Sequence, residues 1–154
     1  MDSNTIFDLH KITRGHLITY LDMLSPEQLA YIPEGFRNNI FWNIAHCVVT
    51  QQLLCYKFSE LPLLISDTWV QKYCKGTIPT GSLPSQEEIQ ELRELLISTQ
   101  KQLQQDYQQG KFVRYTAYTT SYGFSLNSID EALLFNNTHE AMHLGIIKSL
   151  SYFK

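Results

Sequence analysis

The sequence lacks the features that would tie it to nucleic acid, to a disulfide framework or to a membrane. Its 12 Lys and Arg stand against 15 Asp and Glu, for a formal net charge of −3 and a pI near 5.9. The basic residues are scattered along the chain, so nucleic acid is not an expected partner. Three cysteines, Cys47, Cys55 and Cys74, form neither an even set nor a C-x-x-C pair. That removes both a disulfide framework and a thiolate zinc site, and the expected location is the reducing cytoplasm. The opening residues, MDSNTIFDLHKITRGHL, have no basic start and no cleavage site of the signal-peptide kind. No stretch approaches the roughly 20 uninterrupted apolar residues of a membrane span. Even residues 53–65 are broken by Lys57, Glu60 and Pro62. With 154 residues and 44% hydrophobic content, the expectation is one soluble domain over 1–154.

What is present is helical periodicity with clear end signals, and no confident run of strands, so the fold class expected is all-α. A first helix is predicted over residues 5–24, with Ile6, Thr13, Leu17, Tyr20 and Leu24 inward. Ser25-Pro26-Glu27-Gln28 is a capping box for a short second piece, ended by Pro33 and Gly35. A long helix from near Asn38 places Trp42, His46, Val49 and Leu53 on one face. Residues 61–84, rich in Pro and Gly, read as a long connection with at most a short helix around residues 66–73. Ser85-Gln86-Glu87-Glu88 opens another helix to about residue 109, with Ile89, Leu92, Leu96, Thr99 and Leu103 inward. Residues 111–124 (KFVRYTAYTTSYGF) have strand propensity but no obvious partner elsewhere, and read as an ordered loop. The last helix starts near residue 127 and runs almost to the C-terminus.

In that last helix Ile129, Ala132, Asn136, His139, His143, Ile146 and Leu150 fall at steps of three and four, the spacing of a core-facing seam. Three consecutive polar side chains in a core cost about 1–3 kcal/mol each unless something satisfies them together, and a metal would. Histidines four apart share a helix face and can reach one ion. A third ligand must come from elsewhere, since catalytic zinc takes three protein ligands. His46 is the best candidate because it interrupts an apolar stripe in mid-helix; His10 and His16 are weaker. A lone histidine on an apolar face is more often a hydrogen-bonded core residue, and it is the combination of three that favours a metal. Imidazoles alone leave the ion open: zinc or nickel first, iron as an alternative.

His139-Glu140-Ala141-Met142-His143 also matches the H-E-x-x-H of metallopeptidases. Ile146 and Ser149 occupy the positions where a further Gly and His would extend it, and only eleven residues follow His143, so a peptidase is not expected. A single Glu-x-x-His motif, without glutamates inside the first two helices, also argues against a di-iron centre.

Trp42-x-x-x-His46, with a terminal helix bearing His139-Glu-Ala-Met-His143-Leu-Gly145 and the turn Pro33-Glu34-Gly35-Phe36 before Asn38-Asn39-Ile40-Phe41-Trp42, resembles the DinB-like superfamily over nearly the whole chain. The resemblance implies a metal-binding four-helix bundle with long crossover connections, commonly a homodimer, with His46, His139 and His143 as the metal triad. It also implies a metal-activated reaction of a small molecule, with low-molecular-weight thiols such as bacillithiol or mycothiol as candidate substrates. The glutamine that many members carry after the glycine is Ile146 here.

Two readings of function follow. In the first, a metal with an open position activates water or a small thiol in a transferase or hydrolase. Glu140 would then be a base or a support for the ligands, although a solvated helix-face glutamate is the plainer reading. Asn136 would orient a ligand or only set helix register, and Trp42 would pack in the core or line the pocket. In the second, the metal merely staples two helices of a dimerisation or binding module, with Tyr115, Tyr118 and Tyr122 offering a partner surface. An accessible cavity over the ion separates the first reading from the second.

Overall fold

Polar side chains at the helix starts set most of the element boundaries. In the computed structural model, which describes residues 3–153, there are six α-helices: α1 Ser3–Met23, α2 Pro26–Ala30, α3 Ile40–Gln51, α4 Asp67–Tyr73, α5 Gln86–Gln108 and α6 Ile129–Leu150. The ends of the expected domain, Met1, Asp2 and Lys154, lie outside the described residues. Ser25 and Ser85 close reciprocal capping boxes with Gln28 and Glu88. Asn39 accepts from Trp42 N–H and Ser128 from Glu131 N–H. Each cap satisfies amide groups that a helix start otherwise leaves orphaned.

α3 is buried on nearly every side, with only Thr50 short of full burial among Ile40–Gln51. It runs on through a π turn, Gln52–Tyr56, and a tight 3₁₀ turn, Lys57–Ser59, ending at Glu60 in the left-handed region (φ 59°). α1 packs on α5 and α6, and α3 packs on α6 and α5. Residues 111–124 contain the first strand of a short hairpin: β1, Tyr118–Thr119, pairs antiparallel with β2, Ser125–Leu126, in the register Tyr118 to Leu126. The expected ordered loop therefore does hold a strand. Its partner lies only a few residues downstream, across a turn at Gly123 (φ 90°).

Two apolar clusters form the core. One joins Leu17, Leu21, Val48, Val49, Leu92, Leu96, Ile147 and Leu150; the other joins Phe7, Leu54, Tyr56, Leu103, Leu126 and Leu133. Between them every long helix contributes buried polar side chains at one level: His10 and Arg14 from α1, Gln51 from α3, Thr99 from α5, Asn136 and Glu140 from α6. Arg14 Nη1 donates to Leu96 O and Thr99 Oγ1, both at 3.3 Å. Gln51 Nε2 donates to Thr99 O at 3.2 Å, Gln52 Nε2 to Gln51 Oε1 at 2.8 Å, and Leu64 N–H to Gln52 Oε1 at 2.7 Å. A continuous polar belt thus crosses the molecule and reaches the connection beyond α3.

The belt corrects two expected faces. On α1 the buried stripe is Phe7, His10, Thr13, Arg14, Leu17 and Leu21, continued by Leu24 just past its end; Thr13, Leu17 and Leu24 are inward as expected, and Ile6 and Tyr20 sit at the margin. On α6 the deepest positions are Ala132, Leu133, Asn136, Glu140, Ile147 and Leu150, of which Ala132, Asn136 and Leu150 are as expected; Ile146 is 41% exposed, and His139 and His143 lie on the flank of that seam. A fully buried Arg14 paired with Glu140 makes the rotation possible. Gly145 lies on the exposed side of α6, where an added Cβ would meet nothing within 4 Å. Among the described residues no helix is long and apolar enough to cross a membrane.

Candidate metal centre

His46, in the middle of α3, and His139 and His143, one turn apart on α6, bring one nitrogen each to within 4.8 Å of the others. Their ring centroids are 4.5–5.2 Å apart. Neighbours that accept hydrogen bonds fix two of the tautomers. His46 Nδ1–H donates to Tyr73 O at 2.7 Å, at the end of α4, and His143 Nδ1–H donates to Asn43 Oδ1 at 2.8 Å. Asn43 cannot be turned the other way, because its amide nitrogen donates to Asn39 O at 2.7 Å. Both rings therefore present an unprotonated Nε2. The Thr50 hydroxyl donates to His46 Nε2 at 3.2 Å, and Trp42 stacks on the same ring at 4.5 Å and 11°. Trp42 Nε1–H donates to Thr77 Oγ1 at 3.0 Å, so this tryptophan braces His46 and does not enter the cavity in front of it.

Burial drives all three imidazoles toward the neutral form. His139 is pushed down to about 4 by burial and then by His46, against the opposing pull of Glu140. His143 falls to about 3 by burial, with His139 and His46 adding to it. His46 is lowered by burial against its bond to Tyr73. Three neutral nitrogen donors are the chemistry a borderline divalent ion requires. His139 Nδ1 is also buried without any hydrogen-bond partner, an orphan that a ligand contact or a tautomer choice at this ring has to resolve. The residues present therefore fit a metal.

Glu140 is neither solvated nor hydrogen-bonded to the three histidines of the triad; it is 0% exposed. Its Oε2 accepts from Arg14 Nε at 2.8 Å, and its Oε1 accepts from Arg14 Nη2 at 2.8 Å, His10 Nε2 at 3.0 Å and Asn136 Nδ2 at 3.0 Å. Burial raises the carboxyl, yet Arg14 and His10 outweigh it and hold it well below the usual carboxylate range. Asn136 likewise serves Glu140 and does not orient a ligand of the triad. His10 belongs to this network, and His16 is exposed on the surface.

In front of the triad lies a cavity of about 420 Å³. The face of α3 and the turns after it supply Thr50, Leu53, Leu54, Lys57 and Phe58; α6 supplies Phe135 and Met142; the hairpin supplies Tyr118, Thr120, Ser121 and Tyr122. Tyr118 stacks on Phe58 at 4.6 Å, whereas Tyr115 donates to Leu54 O at 3.0 Å behind the wall. The sequence reading missed the hairpin wall, Asn43, Thr50, Arg14 and both lysines at this cavity, Lys57 and Lys75. A signal existed for Arg14, which falls four residues after His10 on the stripe of Phe7 and Leu17.

An all-α chain that holds three neutral imidazoles from two helices at the wall of an accessible cavity has the make-up of a histidine-ligated metalloprotein. A family model of the DinB superfamily matches residues 10–147, and the chain belongs to that superfamily. A comparison with curated proteins found no match.

Proposed function

We propose that this protein is a metal-dependent enzyme acting on a small molecule, with His46, His139 and His143 as ligands of one divalent ion, zinc or nickel first. The observation that carries this reading is the accessible cavity on the triad, because a purely structural site has four protein ligands and is closed. Bound there, the ion supplies Lewis acidity that lowers the pKa of a water or a small thiol, as a transferase or hydrolase needs. The chain's own residues do the rest. Asn43 and the Tyr73 carbonyl orient two imidazoles, Trp42 braces one of them, and the aromatic wall excludes bulk water. The packing of α1 and α3 each against α5 and α6 supports a four-helix bundle with crossover connections as the scaffold.

Chelator-washed protein is to be reconstituted with Zn²⁺ or Ni²⁺ and analysed for metal beside His46→Ala. The expected result is close to one ion per chain for the wild type and little for the variant. Wild-type protein that retains no metal overturns the reading. For the thiol transfer, small thiols with electrophilic acceptors are assayed on loaded protein, and turnover that survives replacement of all three histidines refutes it.

A further inference from the structure

The cavity on the triad is charged in one sense only. Lys57 and Lys75 line it, no Asp or Glu does, and neither lysine takes part in an ion pair among the described residues. Lys72, Arg93, Lys111 and Arg114 each have a carboxylate partner; Lys11, Arg37, Lys101 and Lys148 have none either, and what sets Lys57 and Lys75 apart is that both line one cavity. A recess with low-dielectric walls and charge of one sign concentrates its field on an incoming ion of the opposite sign.

Both lysines are tied to the elements that build the metal centre. Lys57 follows the π turn that prolongs the His46 face of α3, so His46, Thr50, Leu54 and Lys57 run along one side of the cavity. Lys75 comes two residues after Tyr73, whose carbonyl holds the His46 ring. The rest of the lining is largely apolar and aromatic, with Phe58 and Tyr118 stacked on each other and Leu53, Leu54, Phe135 and Met142 beside the histidines in the wall. Pockets of this make-up bind an apolar body through the wall and set its orientation through a few placed polar groups.

We propose that the cavity binds an organic carboxylate with an apolar, ring-sized body, the carboxylate paired with Lys57 and Lys75 and the body lying against Phe58, Tyr118 and Phe135. This inference rests on the cavity being the substrate site of the proposed enzyme. It names the substrate class and makes the two lysines the residues that select it.

The test compares 4-phenylbutyrate with 4-phenylbutanol, which keeps the same ring and chain but carries no charge, by calorimetric titration of the full chain. Metal-free protein is used first, so that the lysines and not an ion attract the carboxylate; zinc-loaded protein follows. Metal-free wild type is expected to bind the acid about fivefold more tightly than the alcohol, a ratio typical of partly solvated charge pairs. Lys57→Gln/Lys75→Gln is expected to bring that ratio to about one, with an unchanged urea midpoint as the mark of an intact fold. Equal binding of the two ligands, binding of neither, or a ratio that survives in the double variant overturns the inference. Zinc uptake is read separately: if wild type takes up no zinc but keeps the ratio, the metal reading fails and this one stands.

Discussion

Arg14 and Glu140 form a bidentate pair with essentially no exposure, 2% and 0% by residue, and that makes them the most sensitive single positions outside the triad. Breaking a buried pair from one side leaves a charge without a partner in a medium that solvates it poorly, at a cost of about 3–5 kcal/mol. Glu140→Gln is expected to lose that much in urea denaturation, and Arg14→Met a similar amount. Arg14→Met/Glu140→Leu should recover a large part of the loss, because no charge remains stranded; a double variant worse than either single contradicts the pairing. The triad was legible in the sequence because two histidines four apart and a third in an apolar stripe are local patterns. Glu140 was not: the motif around it points to the histidines, and its true partner lies 126 residues away in the chain.

At the scale of elements, the helix starts were the most legible feature, since a serine followed three residues later by Gln or Glu is read directly from the chain. Ser85 caps the 23-residue α5, whose first turn carries Glu87 and Glu88. Ser85→Ala is expected to destabilise the protein by about 1 kcal/mol, as a shift of the urea midpoint without a change of slope. An unchanged midpoint contradicts the cap. The π turn at Gln52–Tyr56 was hidden, because one residue of extra winding leaves no mark on apolar spacing. The small hairpin was hidden for another reason: its two strands fall within one short segment, where a partner further along the chain was the obvious thing to seek.

For the whole molecule, the three neutral histidines set how stability depends on pH. Unfolded, each titrates near pH 6.5; folded and metal-free, His139 and His143 titrate at about 4 and about 3, and His46 is also lowered. Above about pH 6.5 neither state binds these protons and the histidines add no slope. As the pH falls from about 6.5 toward 4, the unfolded chain takes up protons that the folded one refuses, so stability declines, and it levels once the folded rings protonate. Urea midpoints of metal-free protein at several values in that window should show the decline. Replacement of all three histidines by Asn should flatten it, and equal slopes contradict the assignment.

The polar belt bears on how the triad is set. Sliding α6 along α1 by one turn, about 5.4 Å, would part Arg14 from Glu140 and leave both stranded, so the belt works as an indexing stop for the helix that carries His139 and His143. Alignment of the imidazoles is therefore a property of the apoprotein's own gearing. Whatever they hold arrives at a seat already cut, and its affinity is spared the cost of assembling one.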